Sequence, residues 1–235
     1  MVKKAFYSLV LTAMLVLSSC GGGGGLLGNL LGLGTTTTTN NTGSILGSVL
    51  GSVLGGGSNG ILGNIFGFTD NAANATDMVI GGTTINKNDL VGTWIYAQPG
   101  CAFTSQNALI NAGGVATANK VKQTLTNTFN SLGFANNNTG FAFKQDGTFE
   151  AVLKGVGFNG TYTYDSSGKL NLKTSGGTIP MFVSRIGNGM SFTMESKTLL
   201  SVLQALGATS GNSTINSVAS QVNGVRLGFD MAKYK

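Results

Sequence analysis

The sequence predicts a mainly β fold: an antiparallel meander with one buried face, carrying helices between strands 1 and 2 and again before the last strand. Three observations lead there. Short runs rich in Val, Ile, Thr, Tyr and Phe alternate apolar with polar residues, three tight turns between them contain glycine, and two regions switch to helical spacing.

The first strand is Leu90-Val91-Gly92-Thr93-Trp94-Ile95-Tyr96, with Pro99-Gly100 expected to end it. A short helical pattern follows around Ser105–Ala112. A longer one sets Ala118, Val121, Leu125, Phe129 and Leu132 on one face and is stopped by Gly133.

Three hairpins come next, and their loop lengths follow from asking which register puts like residues on one face. At Gln145-Asp146-Gly147 a two-residue loop would oppose Phe143 with Glu150. A three-residue loop with Gly147 left-handed instead pairs Phe143 with Phe149 and Phe141 with Ala151. Ser166-Ser167-Gly168 in the same way pairs Tyr164 with Leu170 and Tyr162 with Leu172. A three-residue loop at Gly187-Asn188-Gly189 pairs Ile186 with Met190, Ser184 with Phe192 and Phe182 with Met194. The opposite face then collects Lys144 with Glu150, Thr163 with Asn171, and Arg185 and Glu195. One side is apolar and aromatic, the other wet.

Helices are expected over Ser196–Leu206 and Ser213–Val222, followed by a closing strand, Val225–Tyr234, in which Val225, Leu227, Phe229 and Met231 alternate with Arg226 and Asp230. With Gly155–Tyr164 as a strand of its own, the count of expected strands is eight.

Ahead of this body the chain reads differently. Lys3 and Lys4 precede an uncharged apolar run, Ala5–Leu17, which is the pattern of a secretory signal peptide over residues 1–19. The run is too short to span a membrane. Leu17-Ser18-Ser19-Cys20 resembles the bacterial lipobox, which implies cleavage before Cys20 and its acylation. Several acyl chains, each methylene contributing about 0.8 kcal/mol, would make Cys20 a firm membrane anchor. Residues 20–82 read as a low-complexity Gly/Leu/Thr/Asn tether. It holds an imperfect repeat: Leu27–Gly32, Leu46–Gly51 and Leu62–Gly67, with Gly43, Gly47, Gly51 and Gly55 at four-residue spacing. A flexible tether, a segment lying on the membrane and a self-associating helix are all compatible with it. The packed domain is expected over 83–235.

Composition excludes several function classes. The chain has 14 bases against 8 acids, and loss of Lys3 and Lys4 with the signal leaves a net charge of +4 without any basic block, so no nucleic-acid footprint is expected. There is no histidine, which removes the commonest general base and metal ligand. With Cys20 acylated, Cys101 stands alone and is either a small buried apolar residue, the favoured reading, or a half-exposed thiol. No nucleophile, base and orienting group gather at one spacing, and no metal-ligand pattern occurs, so neither enzyme activity nor a cofactor is expected.

Gly92-x-Trp94 on the first strand, eight antiparallel strands and a helical insertion before the last together resemble a lipocalin-like barrel. With the lipobox and the Gly/Leu leader, the chain is similar to the uncharacterised lipocalin-like lipoproteins of Bacteroidetes. The resemblance implies an eight-stranded barrel in which Trp94 closes one end beneath a basic residue of the last strand. Arg226 is given that part, which requires a bulge or an inward turn, since alternation sets it opposite Val225, Leu227 and Phe229. The inward set is Phe141, Phe143, Phe149, Tyr162, Tyr164, Phe182, Met190, Phe192 and Met194. These residues either line a cavity for a small apolar ligand, oriented by the tyrosine hydroxyls, or fill the barrel and leave function to the surface and the leader. The expected location is the outer membrane, facing the periplasm, because surface-exported lipoproteins of this group carry acids after the cysteine and Gly21–Gly25 has none.

Overall fold

The computed structural model describes residues 77–208 and 211–234. The signal segment, Cys20 and the Gly/Leu leader lie outside the described residues. In chain order the elements are α1 (Lys87–Leu90), β1 (Gly92–Phe103), α2 (Gln106–Asn111), α3 (Gly114–Ser131), β2 (Gly140–Phe143), β3 (Thr148–Leu153), β4 (Val156–Tyr164), β5 (Lys169–Thr174), β6 (Gly177–Ile186), β7 (Gly189–Met194), α4 (Ser196–Ala205), α5 (Asn212–Gln221) and β8 (Val225–Lys233). The strands follow one another around a closed antiparallel barrel, sealed where β8 pairs with β1.

Two hairpins have the expected register. Phe143 pairs with Phe149 and Phe141 with Ala151, while Tyr164 pairs with Leu170 and Tyr162 with Leu172. Gly147 and Gly168 both sit at φ 86°, where a residue with a Cβ is strained. Each turn is also fastened by a carboxylate. Asp146 accepts from Thr148 N at 2.8 Å and Thr148 Oγ1 at 2.6 Å. Asp165 accepts from Ser167 N at 3.0 Å, Lys169 N at 3.2 Å and the Ser167 hydroxyl. These bonds, the hydroxyl donors foremost, hold both carboxyls below the usual range.

The third hairpin differs from expectation by one residue. Phe182 pairs with Thr193, Val183 with Phe192, Ser184 with Ser191 and Arg185 with Met190. The loop is therefore Gly187-Asn188, with Gly187 at φ 53° in the first position and Gly189 already in β7. A one-residue slip turns every side chain to the other face. Met181 and Val183 thus face inward, and Phe182 and Ser184 outward. Arg185 takes inward parity at the barrel rim and approaches Asp89 at 3.8 Å, while Glu195 binds Arg226 at 3.1 Å. On the other hairpins the outward pairs hold: Lys144 Nζ meets Glu150 at 2.9 Å, and Asn171 Nδ2 donates to Thr163 Oγ1 at 3.4 Å.

Strand β1 runs past Pro99-Gly100 to Phe103. Only Gly92–Ile95 pairs with β2, so beyond Ile95 that edge asks no N–H of Pro99. The other edge stays on β8, with Pro99 opposite Phe229 and Gly100 opposite Gly228, after a bulge between Tyr96 and Gln98.

The helices lie close to expectation, with Ser105 accepting from Ala108 N at 3.1 Å at the start of α2. Helix α3 packs Ala118, Val121, Leu125 and Phe129 inward and buries Lys122 among them. Lys122 Nζ reaches Asp230 at 2.6 Å, with side chains 9% and 0% exposed, and Gln98 Nε2 donates to the same carboxylate oxygen at 3.1 Å. Helix α1 was not foreseen, although Asn86 and Asp89 are spaced as in a capping box, with Asn86 N donating to Asp89 Oδ2 at 2.8 Å. Ahead of it, Met78 and Val79 are buried, and Val79 bridges Phe103 in parallel.

Two outcomes follow. In a carbon-detected pH titration of the folded protein, Asp146 and Asp165 should titrate below the ordinary Asp value of about 3.9. Since these folded-state values are depressed, the stabilisation each turn gains is present above that pH and is lost as pH falls through the folded value. Lys122→Ala strands Asp230 as an uncompensated buried charge and should lower urea stability by roughly 3–5 kcal/mol, whereas Lys122→Ala with Asp230→Ala should recover part of it.

Candidate functional site

The barrel interior is the first candidate, and its walls meet in the middle. From β7, Phe192 lies 5.5 Å from Phe141 and 5.6 Å from Phe143 on β2, and 5.9 Å from Trp94 on β1, by ring centroids. Phe143 also lies 5.0 Å from Tyr162 on β4 and 6.4 Å from Phe149 on β3. Strands β2 and β7 are separated by β8 and β1 around the wall, so the rings touch across the lumen. Aromatic pairs at this spacing contribute about 0.5–1.5 kcal/mol each beyond the area they bury.

Of the residues expected to face inward, Phe141, Phe143, Phe149, Tyr162, Met190, Phe192 and Met194 are buried. Tyr164 is half-buried at the rim. Phe182 is half-buried on the outer face, a correction that follows from the Gly187-Asn188 loop; the Arg226 guanidinium covers its ring at 5.3 Å. The tyrosine hydroxyls are occupied by the chain itself, Tyr162 donating to Lys144 O at 2.9 Å and Tyr164 to Ile85 O at 3.1 Å. Burial, then the Asp146 charge for Tyr162 and the Asp165 charge for Tyr164, raises both phenols.

The insertion between β1 and β2 completes the interior. Where β1 parts from β2, Phe129 of α3 and the following Phe134 bring their rings to 5.7 Å and 5.3 Å from Phe229, with Tyr96 at 6.2 Å from the same ring. The expected helical stripe held Phe129, but Phe134 carries no periodic signal.

Trp94 is buried at the barrel end, and its indole N–H donates to Leu90 O at 2.7 Å. The basic residue over it is Lys233, its strand partner, with Nζ 5.3 Å from the ring centroid. Arg226 does not take that part: it points outward near the far end of β8, held by Glu195 and the Phe182 ring. The bulge that would have turned it lies instead in β1. Such a contact at a partly exposed site contributes about 0.5–1 kcal/mol. Helix α1 covers this end, since Lys87 lies 5.4 Å from the Tyr162 ring of β4, Asp89 approaches Arg185 of β6, Asp89 O accepts from Lys233 of β8 at 3.4 Å, and Leu90 holds Trp94 of β1.

Beside the aromatic body lies the Lys122–Asp230 pair, which sequence reading missed. Its signal was Lys122 falling four residues from Ala118 and three from Leu125, inside the apolar stripe. Burial pushes the nearby Cys101 thiol up to about 12, with Lys122 opposing and Asp230 adding to the shift. Burial, then Asp230, also holds the Tyr96 phenol well above its ordinary value. Both groups therefore stay protonated at neutral pH, and Cys101 is a packed apolar residue. On the surface, Thr117, Lys120 and Thr124 of α3 and Ser213, Ser217 and Gln221 of α5 line a groove of about 530 Å³.

Phe192→Ala should cost about 3–5 kcal/mol in urea unfolding, as expected for a buried aromatic touching several others. Phe182→Ala, on the outer face, should cost less than half as much.

None of the described helices is long and apolar enough to cross a membrane. Searches of curated proteins and of solved structures return no significant match. The model of the family described as Lipocalin-like domain (DUF4923) matches residues 62–233, taking in the whole barrel. By that match and by its closed eight-stranded barrel, the chain belongs to this lipocalin-like family.

Proposed function

We propose that this protein is a non-enzymatic lipoprotein of the bacterial envelope, anchored through acylated Cys20, whose barrel is a filled scaffold acting through its surface. The observation that carries this reading is the contact of Phe192 with Phe141, Phe143 and Trp94, which spends the lumen on side chains. An eight-stranded barrel is just wide enough to be filled in this way. The anchor rests on Leu17-Ser18-Ser19-Cys20 behind a charged and then apolar N-terminus. The acid-free Gly21–Gly25 favours the periplasmic side of the outer membrane. The α3–α5 groove, where the hydroxyls of Thr117, Thr124, Ser213, Thr214 and Ser217 stand beside Val121, Val218 and Val222, is a concave feature that a partner could occupy.

A second reading, a carrier of one small hydrophobic molecule, is favoured by the flexible wall. Met181, Met190, Met194 and Met231 all face inward and are buried, and thioether chains rearrange readily. Opening a cavity among them would give a ligand an apolar enclosure of the lipocalin kind.

Extraction from native membranes followed by mass spectrometry of the intact protein separates the two. The scaffold reading expects Cys20 to carry acyl chains and no stoichiometric apolar molecule to co-purify. A one-to-one lipid retained after Cys20→Ser, in protein recovered from the soluble fraction, would replace it with the carrier reading. Unacylated Cys20 in the native protein would remove the anchor.

A further inference from the structure

The barrel has a second dry surface, on its outside. Pairing sets Ile95, Ala102, Ser184, Ser191, Asp230 and Ala232 away from the aromatic interior, on β1, β6, β7 and β8. In a meander with one buried face such positions belong to water. Here Ile95 is 1% exposed, Ala102 0%, Ser184 1%, Ser191 1%, Asp230 0% and Ala232 2%. Ile95, Ala102 and Ala232 also stand outside the core cluster that gathers the inward residues and helices. Among the described residues, α3 reaches this face with the Lys122 ammonium on Asp230. That contact, with Gln98 on the same carboxylate oxygen, lies where α3 runs along β1 and does not by itself cover residues spread over four strands.

The same face holds buried polar atoms without a partner: Ser184 Oγ, Ser191 Oγ and Asp230 Oδ1. They form a row, since Ser184 pairs with Ser191 and Ser191 with Asp230. Buried groups of this kind are normally satisfied, so the row calls for donors brought by another segment. At its centre Gly100 pairs with Gly228, and the sheet itself closes on both: a Cβ at Gly100 would meet Ser191 Oγ at 2.8 Å and one at Gly228 would run into the Phe192 carbonyl oxygen, so the serine row lies level with bare backbone.

We propose that this outer face is the docking surface for the chain's own Gly/Leu segment, residues 43–68. The described chain begins beside it: Phe103 N donates to Met78 O, and Ile80 N to Phe103 O, both at 2.8 Å, so the preceding residues enter next to Ala102 at the edge of the face. The family match starts at residue 62, ahead of Asp77, so part of the segment belongs to the family's domain. The segment is uncharged, as a surface of alanine, isoleucine and glycine requires. Its glycines at four-residue spacing let backbone approach backbone, and Ser48, Ser52, Asn59 and Asn64 supply donors for the serine hydroxyls and the free Asp230 oxygen. This docking holds whether the barrel interior is filled or carries a ligand.

The test uses residues 20–235 with Cys20→Ser, compared with the same protein lacking 43–68, by amide hydrogen exchange at low and high protein concentration. Docking predicts that the deletion speeds exchange in 93–102 and 226–232 by about tenfold or more, while Trp94 near-ultraviolet dichroism stays native. Unchanged exchange in a folded deletion protein overturns it, as does protection that appears only at high concentration, which would place a second copy on the face. Should the deletion prevent folding, Ala232→Arg in the intact chain decides. Docking predicts new protease cleavage within 43–68 against a resistant parent, and equal cleavage of the two overturns it.

Discussion

The constraint on which the rest of the structure depends is the crowding of aromatic rings in the barrel lumen. Phe192 is the meeting point, touching rings from β1 and β2 while standing on β7. A barrel wall can be drawn shut only if its contents fit, because interiors pack at crystal-like density and a missing ring leaves a costly void. The inward register of all eight strands, the Gly187-Asn188 turn and the bulge in β1 each serve that fit.

The helical parts answer problems that closure creates. Strand β2 is short, so β1 parts from it after Ile95 and opens a gap in the wall. Helix α3 and the residues after it fill that gap with Phe129 and Phe134, and Lys122 comes in with them to meet Asp230. A buried ion pair adds little net stability over an apolar pair, but it penalises any other placement of the helix. At one barrel end, α1 ties four strands through Lys87, Asp89 and Leu90, so the Trp94 end is covered by backbone as well as by Lys233.

The proposed scaffold role places function outside the lumen. The tyrosine hydroxyls expected to orient a ligand are spent on backbone carbonyls, and the buried thiol and the Tyr96 phenol are held protonated. What remains is a stable body whose outer faces differ sharply: β4 shows Gly157, Asn159, Thr161 and Thr163 to water, whereas β7 and β8 show almost nothing. The proposed scaffold role would draw on that difference between faces.

By itself the sequence determined the local matters: eight strands, the Gly147 and Gly168 turns, the helical stripe from Ala118 to Phe129, and the lipocalin-like likeness carried by Gly92-x-Trp94. These were legible because alternation, helical spacing and left-handed glycines act over a few residues. The third hairpin was equally local, yet Gly187-Asn188-Gly189 admits two loop lengths. The choice was made by Val183 meeting Phe192 inside and not by the turn. Tertiary structure alone decided that Lys233 rather than Arg226 covers Trp94, that Phe182 lies outside, that Phe134 joins Phe229, and that Lys122 finds Asp230 at a separation of 108 residues. Each of these depends on where a bulge or a closing strand brings distant residues level, a property of the closed barrel that no window of neighbouring residues contains.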